Sequence, residues 1–292
     1  MATLREVRGR ISGVKKTQKI TKAMKMVAAA KLRRAQNAVV VARPYANKIR
    51  QLLQHLSHQM EEQSGPLLTS RDVGAVALVV VTADRGMCGA FNSNLIKFVV
   101  QYCSQTYSGW NERGKVQLFC IGKKGADFFA KQNFSIARKY IGVYNQLTFG
   151  QAQVIARDLV EGYLRGAYDR VEVFYNEFKT VARSQIVREE FLPVPEMGNG
   201  SATAAVDYIY EPSKELILEA MIPKHVNFQI WRVLLESNAA EQGARMAAME
   251  SATKNASDMI RHLQLQYNKA RQASITKELL EVVAGAEALI QA

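Results

Sequence analysis

The sequence predicts a mixed α+β or α/β fold: long helices at the two ends of the chain pair as an antiparallel coiled coil, with a Rossmann-like α/β domain inserted between them. Three observations predict it. Residues 1–58 carry a heptad repeat, the middle alternates strand-like with helix-like segments, and the stretch after Pro223 holds no proline and only Gly243 before Gly285. The expected organisation is an N-terminal coiled-coil helix over 1–58, a central α/β domain over 73–195 and a C-terminal coiled-coil helix over 208–292.

With Leu4 at heptad position a, the a positions are Leu4, Ile11, Gln18, Lys25, Leu32, Val39, Ala46 and Leu53. The d positions are Val7, Val14, Thr21, Ala28, Ala35, Ala42, Ile49 and Leu56. Thirteen of these 16 positions are apolar over eight heptads, which is the seam of a coiled coil. Gly9 and Gly13 each cost on the order of 1 kcal/mol inside a helix, and Pro44 is expected to kink or interrupt it. The C-terminal helix is expected to start after Pro223 and run for roughly 60 residues. Its predicted seam is made of small residues: Val226, Ile230, Val233, Ser237, Ala240, Ala244, Ala247 and Ser251, then Met259, Leu263 and Ala270.

Between them, 76–82, 116–122 and 171–178 are strand-like, and 90–107, 124–132 and 150–167 have helical spacing, so a small doubly wound sheet follows. Residues 182–194 suit an added antiparallel edge strand, and 196–204 (EMGNGSATA) is a loop by composition.

Composition narrows the function. The 292 residues are 48% hydrophobic, enough for one sizeable core or two small ones. No apolar run approaches the roughly 18 residues of a membrane span, and the N-terminus is charged at once, so a cytoplasmic chain able to dock on a membrane complex is expected. Cys88, Cys103 and Cys120 lie in apolar sequence and read as reduced, buried thiols. The net charge of +13 is localised: residues 1–58 hold 14 Lys/Arg against Glu6, and the remainder balances at 25 of each sign. Such a field attracts an anionic partner, whether nucleic acid, lipid or an acidic protein surface. A basic nucleic-acid-binding coiled coil is therefore an alternative. Against it, residues 1–44 contain no aromatic side chain for stacking, and the charge circles the helix without forming a groove.

Catalytic chemistry has no visible carrier. His55, His58, His225 and His262 lack metal-ligand spacing, Glu61–Glu62 and Glu189–Glu190 read as solvated charge, and no nucleophile elbow or Walker sequence occurs. The stretch TADRGMCGAFN (82–92) follows a strand, as phosphate loops do. It has only Gly86 and Gly89, however, with neither a third glycine nor a lysine and hydroxyl after them. A nucleotide-dependent enzyme built on residues 73–194 is thus disfavoured.

Three long stretches converge on one family. RGRISGVKKTQKITKAMKMVAAAKLRRAQ, TADRGMCGAFNSNL, and ESNAAEQGARMAAMESATKNA with YNKARQASITKELLEVVAGAEAL resemble the gamma subunit of the bacterial F-type ATP synthase, over essentially the whole chain. The resemblance implies a non-catalytic central rotor shaft that couples proton flow to ATP synthesis. Its implied partners are the alpha and beta subunits, epsilon and the membrane c-ring, with no nucleic acid. It implies no cofactor on this chain, since ATP, ADP and Mg are bound by alpha and beta. It implies a peripheral place on the cytoplasmic face of the plasma (inner) membrane through the complex. The residues matching beta-contact positions of the family are Lys22, Met24 and Lys25, then Cys88 with Asp84 and Arg85, the latter two expected to be exposed, then Arg245, Arg271, Gln272 and Thr276. Chloroplast members carry an extra cysteine-containing segment roughly where the short 196–204 loop lies, and its absence argues against thiol-controlled activation.

Overall fold

The computed structural model describes residues 3–58, 65–180, 183–194, 211 and 213–290. The loop at 196–204 and the pair Glu61–Glu62 lie outside them, as do the side chains of His55 and His58. The chain divides into two compact units, one of Met1–Val27 with Met246–Ala292 and one of Ala28–Arg245. Two helices traverse both, α1 (Leu4–His58) and α5 (Lys214–Ile290).

The larger unit is built on a five-stranded sheet. In chain order its elements are β1 (Val76–Val81), α2 (Phe91–Thr106), β2 (Val116–Ile121), α3 (Lys123–Lys131), β3 (Ile136–Tyr140), α4 (Phe149–Leu164), β4 (Arg170–Thr180) and β5 (Arg183–Leu192). The strand order is β3-β2-β1-β4-β5, parallel except for the antiparallel β4–β5 pair. The edge strand expected at 182–194 is therefore present as β5. An additional strand, β3, forms the opposite edge.

β1 is buried along its whole length because both faces of the sheet are covered, as a central parallel strand requires. Ala77, Val79 and Val81 face a core shared with α4, with Ile49 and Leu53 of α1, and with Leu218, Ile222, Val226 and Ile230 of α5. Val76, Leu78 and Val80 face the second core, under α2 and α3. α5 is fastened to the sheet by polar contacts too. Arg232 pairs with Glu189 and donates to the Tyr175 hydroxyl at 3.0 Å. Glu190 is held by Arg170 at 3.1 Å. The expectation that Glu189–Glu190 is solvated charge is corrected, because neighbouring elements place an arginine beside each carboxylate. On the other face the fully buried Glu172 accepts from Tyr102, Tyr107 and Arg188 at 3.1, 3.1 and 3.0 Å. Those charge-assisted bonds are what permit a carboxylate there.

Two helix expectations are also corrected. α1 continues through Pro44, so of the kink or interruption expected there the interruption does not occur, and α5 begins at Lys214, so Pro223 lies inside it and not before it. Both prolines are exposed. Each removes one backbone bond at about 3 kcal/mol, and the burial of Leu218, Ile222, Val226 and Ile230 around Pro223 offsets the loss.

In the smaller unit the two helices run antiparallel. Thr21 and Thr253 share a hydrogen bond of 2.8 Å and Lys25 reaches Glu250 at 2.7 Å, and a step forward in one helix is matched by a step back in the other. Along α1 the predicted seam holds: Val7 is buried, while Leu4, Ile11, Val14, Gln18, Thr21 and Lys25 are half-buried. Along α5 it holds only at Leu263 and Ala270. Ala247, Ser251 and Met259 are exposed, and the covered positions include Met246, Met249, Thr253, Ala256, Ile260, Leu263, Tyr267, Ala270 and Ser274, which alternate steps of three and four. In the larger unit α5 has two covered faces. Val226, Ile230 and Val233 join the sheet core and Ala240 joins the loops at the sheet's end, whereas Phe228 meets Tyr45 of α1. As far as Ala240 the predicted stripe is the one facing the sheet, and once the sheet is left behind only its members Leu263 and Ala270 stay covered.

The three cysteines are free and buried, as expected. Burial pushes the thiols of Cys103 and Cys120 up to about 12. An unfolded thiol ionises near pH 8.5. Above that pH the unfolded chain binds fewer protons than the folded one, so stability falls as pH rises from about 8.5 towards about 12. Iodoacetamide at pH 8.5 is expected to label the native chain far more slowly than the denatured chain, and equal rates would contradict the burial.

Candidate functional site

In an open parallel sheet, ligands bind beyond the carboxyl ends of the strands where the strand order reverses, because the crossover helices leave to opposite faces there and open a crevice. Here that point lies between β1 and β4. β1 leads directly into the Thr82–Asn92 turn, so the motif occupies the position of a phosphate loop. The crevice is nevertheless filled by the chain itself. Ala240 and Ala244 of α5 pack against Ala83, Cys88, Phe91 and Phe178. Glu236 of α5 accepts from the backbone N–H of Phe178 at 3.3 Å and pairs with Arg43 at 3.3 Å.

The anion of the crevice is also supplied internally. Asp84 Oδ1 accepts from the N–H of Lys123 at 3.1 Å, at the start of α3, and from that of Gly142 at 3.0 Å. A carboxylate thus sits where a helix N-terminus would hold a phosphate. Asn92 fastens the far end of the turn, accepting from Ala83 N–H at 2.8 Å and donating to Cys88 Sγ at 3.2 Å. The final contact comes from Arg245 of α5, which pairs with Glu241 and donates to the carbonyls of Arg85 and Gly86 at 3.3 and 3.1 Å. Desolvation pushes the Glu241 carboxyl up and the Arg245 guanidinium opposes that shift. Burial likewise raises the Cys88 thiol, against the pull of Arg245.

The predicted contact residues therefore fall into groups. Asp84, Arg85, Cys88 and Arg245 are brought together in the larger unit. Cys88 is 1% exposed, the buried thiol that its apolar surroundings predict, whereas Asp84 is half-buried with its carboxylate engaged, so the expectation that it is displayed on the surface is corrected; Arg85 is exposed. The turn folds inward because Cys88 is the apolar side chain that closes it over Ala240. Arg245 is bound inside the chain rather than free. In the smaller unit Lys22 is exposed, Met24 is half-buried, and Lys25 is tied to Glu250. Arg271, Gln272 and Thr276 are exposed on the stretch of α5 where burial ends; after Ser274, every residue through 286 is exposed. Glu241, Asn92 and Met87 belong to the site and escape sequence reasoning. Of the three, Met87 has a legible signal, as an apolar residue between two glycines of a turn.

Among the described residues no group of three or more His, Cys, Asp or Glu can hold a metal ion. Among the same residues no helix is long and apolar enough to cross a membrane.

With this geometry in place, comparison with known proteins is informative. A family model described as ATP synthase matches residues 3–289. The ATP synthase gamma chain of Prosthecochloris aestuarii is 52% identical over 290 residues, spanning 99% of each chain. That of Chlorobaculum tepidum is 50% identical over 292 residues, spanning 100% of each. A chain in the central stalk and c-ring structure of Tetrahymena thermophila mitochondrial ATP synthase is 25% identical with a TM-score of 0.60, covering 80% of this chain and 99% of its own. A chain of the Euglena gracilis mitochondrial ATP synthase rotor shares the fold at a TM-score of 0.67 with 23% identity, covering 93% and 98%. On the strength of full-length matches at half identity and of this fold, the chain belongs to the ATP synthase gamma chain family.

Proposed function

We propose that this chain is the central rotor shaft of a proton-translocating F-type ATP synthase, coupling proton flow through the membrane sector to ATP synthesis in beta subunits by rotation. The observation that carries the non-catalytic part of this reading is the crevice at the ends of β1 and β4, where α5 and the Asp84 carboxylate stand in the space of a nucleotide. The chain then needs no cofactor of its own, and ATP, ADP and Mg belong to alpha and beta. Its partners are the alpha and beta subunits around the coiled coil, with epsilon and the c-ring towards the membrane. Its place is peripheral, on the cytoplasmic face of the plasma (inner) membrane. The division into 1–58, 73–195 and 208–292 is the functional one, two shaft helices and a head. Lys22 and Arg85, and Arg271, Gln272 and Thr276 around the end of the paired seam, are the exposed polar groups suited to changing hydrogen-bond partners as the shaft turns.

Co-expression with cognate alpha and beta subunits tests the reading. A defined complex whose ATPase rate depends on this chain is expected, and Arg271 and Gln272 changed together to Ala are expected to lower that rate. Absence of a complex, or an ATPase indifferent to the chain, would reject it.

A further inference from the structure

We propose that Met87 is the side chain by which the Thr82–Asn92 turn engages its protein neighbour. It is an apolar knob on a turn that also carries or adjoins exposed cations, and it fits a socket of apolar side chains rimmed by carboxylates on the ring that surrounds the shaft. The proposal rests on the rotor reading and names a residue for it.

Met87 has φ 62, in the left-handed region that L side chains avoid, and its side chain is 64% exposed. Gly89, two residues on, adopts φ 60 without penalty because it is glycine. At position 87 a glycine or asparagine would meet the same backbone requirement more easily, yet a long thioether side chain is present. Strain of this kind persists when the surroundings over-determine it, and here they do. Asp84 is tied to Lys123 and Gly142, the carbonyls of Arg85 and Gly86 are held by Arg245, and Cys88 is buried and bonded by Asn92. The turn on both sides of Met87 is therefore fixed to the fold while its side chain points out. A side chain so exposed recovers little packing within the chain, so the anchors account for the conformation and a contact outside the chain accounts for the methionine.

The rim gives the partner its chemistry. Arg85, Lys123 and Lys124 are exposed, and none of them forms an ion pair among the described residues. Lys124 reaches close to the turn, its Cε 3.7 Å from where a Cβ on Gly86 would lie. An unbranched, polarisable methionine adapts to a socket that changes shape as the shaft turns, and the cations steer acidic groups to its edge.

The test uses the full chain with cognate alpha and beta subunits and three variants, Met87→Gly, Met87→Asn and Met87→Leu. Glycine and asparagine suit the backbone but remove the knob, whereas leucine keeps an apolar knob in the same conformation. The isolated Gly and Asn variants are expected to melt within about 2 °C of wild type or above it. In competition with labelled wild-type chain for the ring they are expected to be about tenfold weaker, the loss corresponding to one buried methionine, and Leu is expected to compete as wild type does. Gly and Asn variants that compete equally well overturn the proposal. So do variants whose binding loss is matched by a fall in melting temperature, because Met87 would then be structural. A wild-type chain that forms no complex overturns the rotor reading itself and this proposal with it.

Discussion

Gly122→Ala is expected to prevent the α/β head from folding. Gly122 has φ +89, and a Cβ there would sit 2.0 Å from the carbonyl oxygen of Thr82 and 2.7 Å from its carbon. Neither atom can yield. Thr82 donates its N–H to Ile121 at 2.8 Å and its hydroxyl to the same carbonyl at 3.1 Å, and it accepts from Gly125 N–H at 2.9 Å. Gly122 is itself tied to Tyr140 at 2.8 Å. Clash and dihedral strain together exceed about 4 kcal/mol, comparable to the whole stability of an ordinary domain. Urea unfolding is expected to show no cooperative transition, or one shifted by several kcal/mol. Gly109→Ala separates the two contributions, because Gly109 has φ +73 with nothing within 4 Å of where a Cβ would lie. Its cost is expected to be only about 1–2 kcal/mol, and equal losses at the two sites would refute the clash.

Arg245→Met is expected to destabilise the larger unit by about 3–5 kcal/mol, since it leaves Glu241 as an uncompensated buried charge. The Glu241 side chain is 6% exposed and that of Arg245 is 12% exposed, so solvent does little to screen the pair. The same change frees the carbonyls of Arg85 and Gly86. Glu241→Gln added to Arg245→Met is expected to restore most of the loss, because no charge then remains buried. The deficit of the single variant has a defined pH dependence. Burial already holds the Glu241 carboxyl above its usual range, and removing Arg245 raises it further. The folded variant then binds a proton that the unfolded chain does not, so its stability recovers as pH falls from 7 towards the unfolded glutamate range. Chemical denaturation at pH 7 and pH 5.5 measures this. A pH-independent deficit, or no rescue by Glu241→Gln, would show that Arg245 serves chiefly outside the chain.

The sequence makes the architecture legible where one periodicity has one cause. The a and d positions of α1 lie on one helix face, which meets α5 at Thr21 and the sheet core at Ile49 and Leu53, and burial follows the heptad at its described positions. β1 and all but Gln117 of β2 are apolar because the sheet is covered on both faces, and β4 shows the same cause in its apolar residues Val171, Val173, Phe174 and Tyr175. β3 escapes sequence reasoning because an edge strand reading Ile-Ala-Arg-Lys-Tyr is charged against further pairing and carries no apolar run. The α5 stripe misleads because this helix serves two partners, so small residues that fit it to the sheet look like a coiled-coil seam. Prolines 44 and 223 mislead because local propensity is outweighed by the tertiary burial around them. At the site, motif spacing argues against a phosphate loop, and the apolar surroundings of Cys88 already point to a buried thiol. They could not show what covers it, because its neighbour Ala240 arrives from 152 residues later in the chain.

That arrival has a consequence in terms of competition. A crevice of the nucleotide-binding type is occupied here by a ligand that belongs to the same chain, and an intramolecular ligand is present at an effective concentration in the millimolar range or above. A diffusible nucleotide would have to lift Ala240 and Ala244 off the turn to enter. Within the larger unit, the stretch of α5 that crosses the crevice is therefore both ligand and wall of the head.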